Sequence, residues 1–394
     1  MIALYTIASS LHQGLPEVSS DPVITGIEQA LGERFEHHGG DFSDYGGAPV
    51  SVVYVRTGGT EGIFRELGLG GDIRLLTSGR NNSLAAAMEI LSYVNYHNGR
   101  GEILHGDAAY IASRLLDAAK DADPGNRSTP PQAGSKQSPI CPLPHIDLCG
   151  ARLGVIGRPS DWLISSDVDY ASAASVLNAE LVDIDMEELI SAVRLHDCDL
   201  RSFAGSEAIH AALLSIVGKY RLDGLTLRCF DLLDTIGNTG CLALARLNAA
   251  GIPSSCEGDI PALISMMIAR KLSGCPGFQC NLSRISGDEL LFAHCTVPLS
   301  MVSSYSYDTH FESGIGTAIR GILPTGPVTI FKVSPDLERC VAIPAMLVRN
   351  QSEPGLCRTQ VIVEAPGAFA YFLTEPLANH HIIVPGLLKL HENE

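Results

Sequence analysis

Short β-prone runs alternate with amphipathic stretches through the first 120 or so residues of this 394-residue chain, and that rhythm leaves few folds open. Ile2–Ala8, the Val-rich Val50–Arg56 and Ile73–Thr77 read as strands, and Asp21–His37 and Asn81–His97 read as helices. Strands separated by helices are joined by crossovers rather than hairpins, and crossovers build parallel sheets. Residues 121–145 (DADPGNRSTPPQAGSKQSPICPLPH) lose all periodicity and fill with Pro, Ser and Gly, as a linker or surface insertion does. Alternation then resumes. Strands are expected at Arg152–Ile156, Leu181–Ile184, Leu225–Cys229 and Ser254–Cys256, with helices at Glu187–Leu195, Ser206–Tyr220, Gly240–Ala250 and Ile260–Leu272. Beyond residue 295 helical periodicity disappears, and β-rich runs such as Val328–Val333, Cys340–Leu347 and Gln360–Ala365 alternate with Gly/Pro turns. The expected class is α/β. Two open parallel-sheet domains, 1–145 and 146–294, precede a small antiparallel β domain, 295–394.

Charge narrows the partners. Lys and Arg number 27 against 44 Asp and Glu, a formal net charge of −17, with no basic cluster to offset it. Such a surface repels phosphate backbones and anionic lipid faces, so neither nucleic acid nor a membrane is an expected partner. No run approaches the ~20 apolar residues of a membrane span, and MIALYTIASSLHQG lacks the basic leader of an export signal, so a cytoplasmic location is expected. The eleven cysteines are odd in number and scattered, and none forms a Cys-x-x-Cys pair; they read as small buried residues kept reduced.

Three clusters carry candidate chemistry. Cys256-Glu257-Gly258-Asp259-Ile260-Pro261 lies at a strand-to-helix junction. Carboxylates at the carboxyl end of a sheet strand lie where open α/β folds bind ligands, which marks Glu257 for metal binding or proton transfer. Asp259, just ahead of a helix with Pro261 in its first turn, is either an N-cap or a second acid. His294 closes the apolar run LLFAH, and the pair His380-His381 precedes Ile382–Val384. Adjacent strand residues face opposite ways, so at most one of that pair enters a given site. Imidazole and carboxylate together suit a divalent transition metal such as Mn or Zn. Weaker signals are the turn Thr57-Gly58-Gly59-Thr60-Glu61 and the turn Gly154-Val155-Ile156-Gly157, either of which can offer backbone amides to an anion or a sugar hydroxyl. Arg158 and Trp162, in GRPSDW, and His12, after the first strand, are candidates for lining a crevice, against plainer roles as surface or packed residues.

The chain resembles the L-fucose isomerase/L-arabinose isomerase superfamily, particularly its shorter "L-fucose isomerase-like" branch. The resemblance runs through VRTGGTEGIF (55–64), SDWLISSDVD (160–169), LTLRCFDLL (225–233), the stretch from Asn248 to Gly274, FQCNLSRIS (278–286), LLFAHCT (290–296) and ESGIGTAIRGILPTGPVTIFKV (312–333). It implies two Rossmann-like domains followed by a β-barrel-like C-terminal domain. It also implies aldose–ketose isomerisation of an open-chain pentose or 6-deoxyhexose on a divalent metal, Mn above all, in a homo-oligomer whose site a neighbouring subunit completes. The family's metal-binding glutamate falls on Glu257, a histidine ligand on His294, and a late histidine on His380 or His381. His381 is the preferred ligand, leaving His380 to the substrate. The family's second acidic ligand falls on Asn281, whose amide oxygen can coordinate a cation but has no ionisable proton. Glu257 is then the candidate base, and Asp259 a candidate to share the proton transfer. A non-catalytic sugar-binding or regulatory protein on the same scaffold is the alternative.

Overall fold

The computed structural model describes residues 2–9, 14–121 and 138–390. Strands β1 (Ile2–Ile7), β2 (Glu36–Gly39), β3 (Val50–Val55), β4 (Asp72–Thr77) and β5 (Arg100–Leu104) form a parallel sheet in the order β2-β1-β3-β4-β5. After β6 (Ile140–Pro142), strands β7 (Ala151–Ile156), β8 (Ala179–Ile184), β9 (Gly224–Leu227) and β10 (Ser254–Cys256) form a second parallel sheet, ordered β10-β9-β7-β8. In each sheet the first strand lies inside, so the order reverses beside it and a crevice opens at the carboxyl ends there.

The remaining strands are antiparallel. β11 (Phe278–Ser286), β12 (Glu289–His294), β15 (Gly326–Val333), β16 (Arg339–Gln351), β17 (Thr359–Glu364) and β18 (His381–Pro385) close into a six-stranded barrel through the pairing of β15 with β16. β13 (Ser304–Asp308) and β14 (Ala318–Ile322) make a separate two-stranded ribbon. The class expected from the sequence is the one observed. Barrel strands begin at residue 278, ahead of residue 295. Part of the expected insertion, Ile140–Pro142, adds to the barrel along Arg339–Val341, while 122–137 lie outside the described residues. The helix expected over Asp21–His37 ends at Leu31, because Gly32 takes a left-handed turn (φ 73°) that lets Glu36–Gly39 run back as the edge strand β2.

Two helices fasten the barrel to the sheets. Ser83–Tyr96 is buried on nearly every side, with Leu84, Met88 and Leu91 in one apolar cluster with Val53 and Leu75 of the first sheet and Phe278 and Phe292 of the barrel. Ile260–Ser273 does the same between Leu153 and Val155 of the second sheet and Phe331, Ile382 and Val384 of the barrel. Both helices therefore lie inside the molecule, and the ends of both sheets converge on one mouth of the barrel. No helix among the described residues is long and apolar enough to cross a membrane.

Candidate metal centre

Glu257 follows the last residue of β10 and adopts a left-handed backbone (φ 67°), as does Gly258 after it (φ 71°). A Cβ at Gly258 would stand 2.5 Å from the Arg158 carbonyl oxygen and 2.7 Å from Pro159 Cα, so only glycine fits the turn. Backbone bonds hold it there: Ser160 N–H donates to the Glu257 carbonyl (3.0 Å) and Gly258 N–H to that of Leu227 (3.0 Å). The strained turn presents the Glu257 carboxylate to the crevice beside the barrel.

Two imidazoles meet it. His294, the last residue of β12, sets Nε2 3.9 Å from Glu257 Oε1, and His380, just ahead of β18, sets Nε2 3.4 Å from the same oxygen. The rings stand edge to face, centroids 5.5 Å apart. Among the described residues, Glu257, His294 and His380 form a trio with one ligand atom each, all within 4.8 Å of one another. Each imidazole is turned by its other nitrogen: His294 Nδ1 bonds Thr296 Oγ1 (2.8 Å) and His380 Nδ1 bonds Asp259 Oδ2 (2.8 Å). Partners of this kind aim the free nitrogens of metal-binding histidines. The other Glu257 oxygen, Oε2, accepts the Trp162 indole N–H at 2.7 Å.

Whether a divalent ion fits can be judged from the polar atoms left over. His380 Nε2 and Asn281 Oδ1 are buried without a hydrogen-bond partner, and Asn281 lines the same cleft as Glu257. Unpaired buried donors and acceptors are costly and mark places where a ligand belongs. One carboxylate, two imidazoles and an amide oxygen make a mixed N/O set suited to a divalent transition metal. The cluster can therefore hold a metal ion.

Carboxylates and imidazoles here set one another's charge. Burial alone would raise Glu257, but charged His380, with His294 beside it, holds its carboxyl well below the usual range. Burial likewise opposes charge on His380, yet Glu257 and Asp259 on either side raise it to about 10. Lys332, fully buried, lies 3.7 Å from Asp259 Oδ2 and keeps that carboxyl below its ordinary value against the effect of burial.

His381 does not face this cluster. Its Nε2 meets the Tyr371 hydroxyl (2.8 Å), its Nδ1 the Asn379 carbonyl (2.8 Å), and its ring packs on Phe372. Both nitrogens are taken, so the imidazole turned to Glu257 is that of His380, not of the preferred His381, and His380 stands among the metal-binding atoms rather than on the substrate side. Asp259 does not line the cleft: Oδ1 caps the helix Ile260–Ser273 at Ala262 N–H (2.6 Å) and Oδ2 holds His380. Its place is behind a histidine, which departs from a proton-transfer role. Trp162 does line the cleft, stacked edge-on against Phe230. Arg158 is exposed, its side chain is absent from the lining, and its carbonyl is what the turn at Gly258 packs upon. His12 lies outside the described residues.

A cleft opens in front of Glu257. The chain's own first domain walls one side of it with Gly58, Gly59 and Glu61, from the turn after β3, and Asn82, from the turn after β4. Three carboxylates face it, Glu61, Glu257 and Glu312, and none of the described lining residues is Lys or Arg. Sequence reasoning noted the turn that carries Glu61 and the segment that begins at Glu312 without assigning either residue a role. It also passed over the fully buried Glu89, which accepts the N–H groups of Ser165 (2.7 Å) and Asn379 (3.0 Å) and so ties the Trp162 loop to the bend that carries His380. A glutamate inside an apolar helix such as SLAAAMEILSYV was the signal available for it.

No protein-family model matches the chain. Sulfoquinovose isomerases of Priestia aryabhattai and Priestia megaterium (strain ATCC 12872 / QMB1551) are each 33% identical to it over 121 residues, 29% of this chain and 27% of each relative. The matched stretch thus spans little more than a quarter of the length of these curated relatives, and over it the chain is similar to sugar isomerases.

Proposed function

We propose that this chain is a metal-dependent aldose–ketose isomerase that acts on an open-chain sugar. The observation that carries the reading is the convergence of Glu257, His294 and His380, from three distant parts of the sequence, at a cleft whose walls are rich in carboxylates. Similarity to sugar isomerases over part of the chain supports it independently.

Glu257, His294 and His380 would hold a divalent ion, Mn in the first instance, with Asn281 Oδ1 as a neutral fourth donor. When bound, such an ion would polarise the sugar carbonyl as a Lewis acid. The protein's residues supply the rest. Trp162 orients Glu257 through its indole N–H, and Asp259 orients His380 while Lys332 balances its charge. Trp162 and Phe230 give the cleft an aromatic wall for the apolar face of a sugar. A sulfonated sugar, the substrate class in the relatives' name, calls for a cation at its sulfonate. The described lining offers three glutamates and no Lys or Arg, which favours an uncharged pentose or 6-deoxyhexose here.

The test is a screen of aldopentoses and 6-deoxyhexoses for ketose formation by the purified chain, with and without added Mn, beside Glu257→Gln. Turnover that requires Mn and is lost in E257Q is the expected result. Sugar binding with no Mn-stimulated turnover of any of them would replace this reading by the non-catalytic sugar-binding alternative, for which Asn281 in the place of an acid speaks.

A further inference from the structure

Resting on that reading, we propose that Glu89 is a positioning residue for the metal centre, one carboxylate that holds both the loop aiming Glu257 and the bend aiming His380. It sits inside the helix Ser83–Tyr96, which runs from the cleft into the body of the molecule. Ala85 and Ala86 line the cleft, and Glu89 and Ser92 continue their face of the helix at spacings of three and four. Both are buried. A carboxylate in an apolar helix loses its hydration, and only well-made hydrogen bonds offset that loss.

Glu89 has them. Its Oε1 accepts the Ser165 N–H (2.7 Å) and the Ser166 hydroxyl (3.0 Å), and its Oε2 accepts the Asn379 N–H (3.0 Å). Ser92 doubles the link, because its Oγ accepts both the Ala378 N–H (3.1 Å) and the Ser165 hydroxyl (2.7 Å). Each segment leads straight to the metal-binding atoms. The loop that ends at Ser165 and Ser166 starts where Ser160 N–H meets the Glu257 carbonyl (3.0 Å), and it carries Trp162, whose indole N–H sits on Glu257 Oε2 (2.7 Å). The bend at Ala378 and Asn379 runs directly into His380, whose Nε2 stands 3.4 Å from Glu257 Oε1. Glu89 therefore fixes the group that orients the carboxylate relative to the imidazole that faces it.

Glu89→Gln separates this role from the filling of space. Glutamine has nearly the same shape but offers one acceptor oxygen and one NH₂ group in place of two acceptor oxygens. The two backbone N–H groups approach different oxygens and cannot turn round to accept, so the amide satisfies one of them and sets a donor against the other. Either the Trp162 loop or the His380 bend is released. Burial raises Glu89 to about 7, so the comparison belongs at pH 8, where the wild-type group is ionised.

Trp162 is the chain's one tryptophan, so the full-length ¹⁵N-labelled protein gives a single indole N–H resonance that reports on this loop. In the metal-free wild type it is expected downfield, as for a donor to a carboxylate, and Mn should broaden it away. E89Q is expected to move the metal-free resonance and to weaken Mn binding, measured by calorimetry without sugar, by about 10-fold or more. Ser92→Ala loosens the same two segments without touching the carboxylate; it should move both readouts in the same direction, and it carries the test if E89Q does not fold. Val94→Ala, which opens a cavity in the same helix, should lower the urea midpoint and leave both readouts at their wild-type values. A folded E89Q with the wild-type resonance and Mn affinity would overturn the assignment. So would an equal loss of Mn affinity in V94A, which would make the effect one of general stability. If the wild-type chain binds no Mn, the metal-dependent reading fails and this inference with it; a wild type that binds Mn beside an unimpaired E89Q defeats this inference alone.

Discussion

Asp259 serves three neighbours with one side chain. Its Oδ1 caps the helix Ile260–Ser273, its Oδ2 holds His380, and the same oxygen balances the buried ammonium of Lys332. The cap was legible in the sequence, since Asp-Ile-Pro ahead of an apolar run states it locally. The other two partners were not, because contacts with residues 332 and 380 depend on how the barrel docks. Asp259→Asn keeps a capping oxygen but removes the charge, leaving Lys332 buried without compensation and the His380 ring less firmly aimed. Removing one partner of a buried charge pair costs ~3–5 kcal/mol, which should appear as a lower unfolding free energy of the metal-free chain in urea. The loss of a carboxylate behind a metal-binding histidine should weaken Mn binding by about 10–100-fold. A variant with wild-type stability and Mn affinity would show that Asp259 does no more than cap.

At the scale of elements, strands and helices were read well where one periodicity ran uninterrupted, as at Ser254–Cys256 and Ile260–Ser273. Reading faltered where a glycine reset the backbone, as at Gly32, and where a strand's partner lay far along the chain, as at β6. The histidine pair shows the limit of periodicity. Alternation says that His380 and His381 face apart, but both neighbours of the pair lead into buried chain, so nothing local says which face meets the site. The start of β18 at His381 decides it: from there the ring turns to Tyr371 and Phe372, and His380 in the preceding bend faces Glu257.

Another histidine joins elements across the first domain and the barrel. His105, just after β5, meets Thr77 Oγ1 through Nδ1 (2.6 Å) and accepts the backbone N–H of Ile285 in β11 through Nε2 (3.0 Å). It must be neutral to accept. Burial, and then the nearby charge of Arg284, lower it from the ordinary 6.5 to about 4. Between those values the unfolded chain binds a proton that the folded chain refuses. The stability contribution is therefore whole above pH 6.5 and is lost as pH falls toward 4, with a limiting slope of ~1.4 kcal/mol per pH unit. Urea unfolding of the wild type and His105→Gln at steps from pH 7.5 to 4 should show this contribution as a stability difference between the two that shrinks as pH falls. His381, lowered to about 3, adds a slope of the same sign, while the buried carboxyls Glu61, raised to about 8, and Glu89, raised to about 7, add slopes of the opposite sign, so the His105 contribution is read from the difference between H105Q and the wild type. An unchanged slope in H105Q would mean that the acid sensitivity arises elsewhere.

The whole molecule is a device for bringing ends together. Two parallel sheets direct the turns after β3, β4 and β10 toward one barrel mouth, and two buried helices lock that approach. The three-part plan was legible in the change of rhythm along the sequence, and Glu257 and His294 stood out there as candidate ligands. The juxtaposition of these with Glu61, Asn82 and Glu312 was not, because it exists only once both sheets have packed against the barrel. Metal binding to the intact chain tests that convergence most directly. Calorimetric titration with Mn should give one ion per chain in the wild type and in His381→Gln, and none at the same concentrations in Glu257→Gln, His294→Gln or His380→Gln. Undiminished binding in H380Q, or loss confined to H381Q, would mean that the cation is not held where these three side chains meet.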